Sequence, residues 1–304
     1  MKIKIATSQF SVSSNIQNNK DNIITQINEA KGSGAHLIHF PEGSLSGYAG
    51  IDFDSFEGYN WQELTDSTYE IIKEARNRNI WLILGSAHRL ENHKPHNCLY
   101  IIDNNGQIAD RYDKMFCAGN EEENTEDLLH FSPGDHFTTF DVSGIKCGVL
   151  ICHEYRYPEL YREYKKRGVE IMFHSFHAGN MNPTRQASME AEVGEEFFEF
   201  NNGRTIPEIT MPSTMISYAA NNYMWISCSN TSARESCWAS MIIRPDGVIS
   251  GQLDKNSDGI LITEIDTNEQ YYDSAKFWRN RAMNGIFHSG NLVDDRRSKN
   301  RNKL

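Results

Sequence analysis

No stretch of this 304-residue chain approaches the roughly 18 consecutive apolar residues that a membrane-spanning helix requires, so a membrane span is not expected. Cysteine is sparse: Cys98, Cys117, Cys147, Cys152, Cys228 and Cys237 stand apart, with no C-x-x-C pair. That is too few, too scattered, for a disulfide scaffold, and burial as a small apolar side chain is the ordinary use of most of them. Positive charge is also short. Thirty basic residues face 41 acidic ones, for a net charge of −11, and they form no stripe. Such a chain offers little to a phosphate backbone, which leaves small-molecule chemistry ahead of nucleic-acid binding. The opening MKIKIATSQF lacks the apolar block of a signal peptide and alternates from its third residue. It reads as a strand, with a cytoplasmic address as the default expectation.

What is present suits a packed core: 38% of residues are hydrophobic and 11% aromatic. Alternation predicts a strand over Ile3–Phe10, and a stripe of Ile23, Ile24, Ile27 and Ala30 predicts a helix over Asn18–Lys31, closed by Gly32 and Gly34. A buried strand over His36–Phe40, a helix over Thr65–Asn79 and a strand over Trp81–Ala87 complete a βαβαβ start. Asn104-Asn105-Gly106, Ser143-Gly144 and Pro245-Asp246-Gly247 then mark three hairpins. Between them come a helix over Pro158–Arg167, a strand over Val169–His174, a helix over Met211–Asn221 and a strand over Tyr223–Ser229. Ile260–Ile265 is the last strand. Helices alternating with strands and hairpins predict an α/β fold of helix-covered sheets. With no linker inside it, 1–293 reads as one domain and 294–304 as a polar, mobile tail. The long, acidic stretch 178–212 has the character of a loop that closes over or binds something.

Three polar residues fall where strands should end. Glu42 follows His36–Phe40, Lys114 follows the strand ending near Tyr112, and Cys152 closes Ile145–Ile151. Strand ends are where such sheets build sites, because the scaffold is rigid and the loops are open. A cation beside a thiol favours the thiolate, and a carboxylate can carry a proton from thiol to leaving amine. Taken singly, each has an ordinary use: a core cysteine, turn chemistry, a solvated lysine. Spacing alone does not bring the three together.

Five segments in order do more: His39-Phe40-Pro41-Glu42 with Gly47-Tyr48; Tyr112-Asp113-Lys114; Ser132-Pro133-Gly134-Asp135; Gly148 to Cys152 followed by Arg156-Tyr157-Pro158-Glu159; and Ser240 to Gly247. Together they resemble the nitrilase, or carbon–nitrogen hydrolase, superfamily, from about Ile3 to Ile265. The resemblance implies an αββα four-layer sandwich, two mixed sheets flanked by helices. It implies a Glu42–Lys114–Cys152 triad that cleaves an amide or N-carbamoyl compound through a thioester, with the backbone N–H of His153 beside Lys114 at the oxyanion. It implies no metal and no organic cofactor, and subunits that pair into a homo-oligomer of two or more. Many members carry a second acid near the lysine; here that position is Asp127, with Glu126 beside it, either could orient Lys114, and Glu126 is the residue named. Tyr48, His153, His177 and Asn180 are expected to contact substrate.

The departures matter as well. His153-Glu154 follows the nucleophile where amidase-like members have an aromatic and Asp. Glu at that place is similar to true nitrilases, whereas Arg156 to Glu159 looks like the amidase and carbamoylase branches. Amide cleavage is therefore the leading reading, with a nitrilase second and a non-catalytic ligand-binding relative third. Arg185 and Arg204 could grip a substrate carboxylate, but pairing with Glu190, Glu192, Glu195 or Glu196 is the commoner use. Arg156 and Glu159 read as a charge pair locking the elbow, and Glu121-Glu122-Glu123 as a solvated loop. His174 and His177, with His153 and Glu154, have metal-ligand chemistry, but no tight ligand spacing, and no metal is expected.

Overall fold

The structure is a computed structural model that describes residues 1–120, 122 and 124–302. Its first half runs β1 (Lys2–Gln9), α1 (Ile16–Gly32), β2 (Leu37–His39), α2 (Trp61–Arg78), β3 (Trp81–His88), β4 (His96–Ile102) and β5 (Ile108–Asp113), then α3 (Asp127–His130) and β6 (Thr139–Val142). The second runs β7 (Ile145–Ile151), α4 (Pro158–Lys166), β8 (Ile171–Ser175), α5 (Pro183–Val193), α6 (Ile206–Asn222), β9 (Trp225–Ser229), β10 (Met241–Ile243) and β11 (Ile249–Gln252). After it come β12 (Gly259–Asp266), α7 (Arg279–Met283) and α8 (Arg296–Lys299).

The strands form two six-stranded sheets, ordered β12-β1-β2-β3-β4-β5 and β11-β10-β9-β8-β7-β6. In each, three neighbouring strands are parallel (β1-β2-β3 and β7-β8-β9), and antiparallel strands extend both sides. Helices α1 and α2 cover one sheet and α4 and α6 the other, so the layers are α, β, β, α. This is the sandwich the resemblance implied.

Local sequence explains the covering helices. Asn15 caps α1 by accepting from the Asn18 N–H, and Ile23, Ile27 and Ala30 give it one buried face. Asn60 caps α2, which ends on Asn79 in the left-handed conformation at φ 51°. Between the sheets Trp81 stacks on Phe140, Phe140 on Phe173, and Phe173 meets His39 edge-on, with centroids 6.0, 6.4 and 5.2 Å apart. Each large apolar side chain buried there stabilises the fold by roughly 1.5–3 kcal/mol.

Towards one end this layer turns polar. His39 reaches Ser227 and Ser175, both at 2.8 Å, and Thr7 meets Ser227 at 2.7 Å. The seam ties the sheets together beneath the loops that carry the site.

The stretch 178–212 is not a loop. Asn182 caps α5 with Pro183 in its first turn, Glu195–Phe200 form a 3-10 turn, and α6 starts at Ile206 rather than Met211. Its start is a capping box, Thr205 with Glu208, and Pro207 sits in the first turn. Pro212, inside the helix, made that start read as a break. Of the Glu121-Glu122-Glu123 run, Glu121 and Glu123 lie outside the described residues, as do Lys303 and Leu304 of the tail. Among the described residues no helix is long and apolar enough to cross a membrane.

Candidate active site

Glu42 stands three residues beyond β2 on a turn that lies against β3. Ser44 donates its backbone N–H to the Pro41 carbonyl at 3.2 Å, and Leu45 donates to that of Gly85 at 2.9 Å. A Cβ on Gly85 would lie 2.1 Å from the Pro41 oxygen, so β3 admits this turn only because position 85 has no side chain. Lys114 follows β5 directly, its backbone N–H donating to the Asn97 carbonyl at 2.9 Å. Gly134 donates to the Lys114 carbonyl at 2.9 Å, and a Cβ there would sit 2.3 Å from the Asp113 oxygen. The Pro-Gly step thus holds the lysine's backbone. Cys152 closes β7 at φ 39°, a left-handed conformation that costs an L-residue energy and recurs at functional elbows. His174 Nε2 donates to its carbonyl at 3.1 Å.

These three segments converge. Lys114, 1% exposed, donates to Glu42 Oε1 at 3.0 Å and Asp127 Oδ2 at 2.6 Å. Asn97 also donates to Glu42 Oε1, at 2.7 Å, while Oε2 is buried with no partner among the described residues. Burial works against the Lys114 charge, but Asp127 and Glu42 outweigh it and raise its pKa well above the usual lysine range. Burial likewise pushes Asp127 up, yet Lys114 and the hydrogen bonds from Tyr48 and Ala118 hold its carboxyl below the ordinary value.

The Cys152 thiol goes the other way from the thiolate expectation. Burial, then Glu42, push it well above the usual range, against the opposing pull of Lys114 and the His177 N–H. One ammonium shared by two carboxylates leaves little net positive potential for the sulfur. The raised pKa favours the neutral thiol at Cys152.

The acid at Lys114 is Asp127, whereas the sequence reading named Glu126. Glu126 is exposed at φ 49° and lines the outer cleft, because the first turn of α3 points only Asp127 inward. A cleft of about 400 Å³ opens over Cys152, lined among others by Tyr48, Lys114, His153, Arg156, His177, Arg185 and Trp238. Tyr48 donates its hydroxyl to Asp127, and its ring stacks on His177 at 5.0 Å. His177 Nε2 bonds Asp52 Oδ2 at 2.9 Å. Burial opposes protonation of His177, but Asp52 wins and raises its pKa. His153 lines the cleft, its pKa lowered to about 4 by burial and Lys114. Asn180 is exposed and donates to Asp52 Oδ1 at 3.3 Å; it is not among the cleft-lining residues.

Other pairings differ too. Arg156 does not pair with Glu159; it lies over the Tyr155 ring at 5.0 Å and lines the cleft. Arg185, from α5, is exposed at the same cleft, and Arg204 packs over Phe198 at 5.5 Å. The three histidines and Glu154 do not converge. His174 is spent on Tyr161 and the Cys152 carbonyl, and among the described residues no group of three potential ligands gathers.

Sequence reading missed Asn97, Asp52 and the structural use of Glu154. Asn97 follows His96 in a strand that reads as ordinary hairpin. Asp52 lies in a loop after Tyr48 with no periodic signal.

The profile of the carbon–nitrogen hydrolase family matches residues 4–271. Nitrilase homolog 2 of Dictyostelium discoideum is 28% identical over 176 residues, 56% of this chain and 53% of that protein. An omega-amidase of Mus musculus is 27% identical over 172 residues, 56% of this chain and 61% of that one. A 2-oxoglutaramate amidase of Bacillus subtilis is 30% identical over 101 residues, 33% of this chain and 38% of that one. The chain thus matches between about a third and three-fifths of the length of these relatives. An amidase from Nesterenkonia sp. superposes with a TM-score of 0.69 at 18% identity, over 93% of this chain and 95% of that one. A variant of that amidase carries the acetamide moiety of fluoroacetamide covalently added at its active-site cysteine; its TM-score is 0.67 at 18% identity, over 86% and 90% of the two chains. With its motifs in order, its αββα layers and a family match over most of its length, this chain belongs to the carbon–nitrogen hydrolase family.

Proposed function

We propose that the protein hydrolyses the carbon–nitrogen bond of a small carboxamide, with Cys152 as nucleophile, Glu42 as proton carrier, and Lys114 and the His153 N–H at the oxyanion. The observation that carries this reading is the buried Glu42–Lys114–Asp127 set at the floor of a cleft that also exposes Cys152. Glu42 Oε2, free of partners, takes the thiol proton as Sγ bonds to the carbonyl carbon and the C=O electron pair moves onto oxygen. Lys114 spends two N–H bonds on carboxylates and keeps one for that oxygen. The first turn of the 3-10 helix at Cys152–Arg156 leaves the His153 N–H without an intrahelical acceptor. Collapse breaks the C–N bond, the nitrogen takes the proton from Glu42, and ammonia leaves a thioester. Water, deprotonated by Glu42, then displaces Sγ and restores the thiol.

The substrate proposed is an amide with a carboxylate at its far end. Arg156 and Arg185 both line the cleft, and neither is held in an ion pair among the described residues; guanidinium forks suit carboxylates. The omega-amidase and 2-oxoglutaramate amidase relatives agree with that choice. A cytoplasmic setting, a single domain over 1–293 and a homo-oligomer belong to the same proposal. The last is supported by Phe277, Phe287, Leu292 and Val293, all strongly exposed, since exposed large apolar side chains suit an interface.

The test is ammonia release from a panel of neutral and carboxylated amides, with intact mass to trap the acyl-enzyme. Turnover and an adduct absent from Cys152→Ala are expected, with carboxylated amides preferred and Arg185→Ala raising KM about tenfold. Neither turnover nor adduct across the panel would overturn hydrolysis in favour of ligand binding; ammonia from a nitrile without free amide would favour a nitrilase.

A further inference from the structure

Glu154 lies two residues beyond the nucleophile and is fully buried. The chemistry above gives it no task. Its Oε1 accepts from the Tyr112 hydroxyl at 2.6 Å, the Met115 N–H at 2.9 Å and the Phe116 N–H at 3.2 Å. Its Oε2 accepts from the Ile151 N–H at 2.7 Å. The first three donors flank Lys114 at the end of one sheet. The fourth is the N–H of Ile151, the residue immediately before Cys152, at the end of the other.

We infer that Glu154 is a positioning residue, a carboxylate clamp that sets the cysteine's elbow against the lysine's loop. The inference rests on the proposed roles of Cys152 and Lys114, but its geometry is independent of any substrate. Two rigid sheets carry the two groups, and a displacement of about 1 Å in such a pair costs about a hundredfold in rate. Only a carboxylate suits the position. All four partners are donors, so glutamine would turn an NH2 against one of them, aspartate would fall a methylene short, and alanine would orphan all four.

The clamp is also sensitive to protons. Burial pushes the Glu154 carboxyl up to about 7, against the hydrogen bonds from Tyr112, Ile151 and Phe116 and the charge of Lys114. The titratable groups facing it are Tyr112 from β5, Lys114 and Cys117 from the following loop, and Tyr161 and Tyr164 from α4. Protonation sets a fifth hydrogen among four donors, so alignment loosens as pH falls through neutrality and is restored above it.

The test is the rate at which iodoacetamide alkylates Cys152, followed by peptide mass against pH, in wild type, Glu154→Gln and Tyr112→Phe. This readout needs no amide turnover, so the clamp can fail while hydrolysis stands, and the reverse. Glu154→Gln is expected to slow alkylation about tenfold or more and to remove the step near neutrality that Glu154 adds to the steady acid-side fall of a thiol with a raised pKa. Tyr112→Phe removes a bond that lowers the Glu154 pKa, so that step should move to higher pH; a merely structural role would not move it. Alkylation of Glu154→Gln at the wild-type rate, with an unchanged profile, overturns the inference. If Glu154→Gln fails to fold, an unmoved profile in Tyr112→Phe overturns it equally.

Discussion

At Lys114 one ammonium serves two carboxylates, and the division of labour follows from what else each carboxylate touches. Asp127 is saturated: it accepts from Lys114, Tyr48 and the Ala118 N–H. Glu42 keeps Oε2 free. In the proposed mechanism the saturated acid holds the lysine and the free one moves the proton. Asp127→Asn should therefore cut kcat by about a hundredfold or more and lower stability, since it leaves a buried charge with one partner fewer. Glu126→Gln, exposed at the cleft mouth, should keep kcat within about twofold and stability within about 0.5 kcal/mol. Steady-state rates and urea midpoints of the two variants separate them; equal losses would return the role to Glu126. From sequence the motif position fell on Asp127 but either acid could reach the lysine, because their difference lies in which one the first turn of a four-residue helix aims inward. Glu42, Lys114 and Cys152 were readable because motif order carried them. Asp52, which fixes His177, came from a different loop and left no pattern.

At the scale of elements, helices and hairpins followed the text closely because their caps and turns are local. α1 and α2 formed within a few residues of expectation, and β4 and β5 flank the expected Asn104-Asn105-Gly106 turn. The failure at α5 and α6 is of another kind: there the apolar stripe is weak and prolines fall in the first turns and, at Pro212, inside a helix, so period and punctuation disagreed. The elements that build the site depend instead on close approach. Gly85 is the clearest case, a mid-strand residue whose missing Cβ lets the Glu42 turn lie on β3. Gly85→Ala should destabilise by about 1–3 kcal/mol or more, because the nearest obstacles are backbone atoms of Pro41, Glu42 and Gly43. It should also lower kcat in whatever folded protein remains, as Glu42 is pushed off its partners. Denaturant midpoints and activity per folded molecule test this; an alanine variant with wild-type values of both would show that the turn can move aside freely.

Across the whole molecule the two sheets repeat one plan. β1-α1-β2-α2-β3-β4-β5 and β7-α4-β8-α6-β9-β10-β11 run in the same order with the same mixture of parallel and antiparallel neighbours. Glu42 follows the second strand of one half and His177 the second strand of the other, and they meet where the Glu42 N–H donates to the Phe176 carbonyl at 3.2 Å. Packing sheet on sheet buries histidines at this seam. His39 is held neutral between Ser227 and Ser175, its pKa far below the usual range through burial and His174. His174 accepts from Tyr161 and donates to the Cys152 carbonyl, and burial brings its pKa down to about 3. An unfolded histidine titrates near about 6.5, so below that pH the unfolded chain binds protons that the folded one refuses. The stability these two residues contribute is fully present above about pH 6.5 and falls as pH drops below it, by up to about 1.4 kcal/mol per pH unit for each. Glu154 acts in the opposite sense: its folded pKa is raised to about 7, so acidification below neutrality favours the folded state by one proton. Among these three groups, two histidines against one carboxyl lose stability in mild acid. Replacing His174 with glutamine, which keeps polar atoms for Tyr161 and the Cys152 carbonyl, should lower stability at pH 7 but flatten its decline in acid by about 1.4 kcal/mol per unit. Urea midpoints measured from neutral pH downward in both proteins give the two slopes, and parallel slopes would mean that His174 does not carry this acid sensitivity.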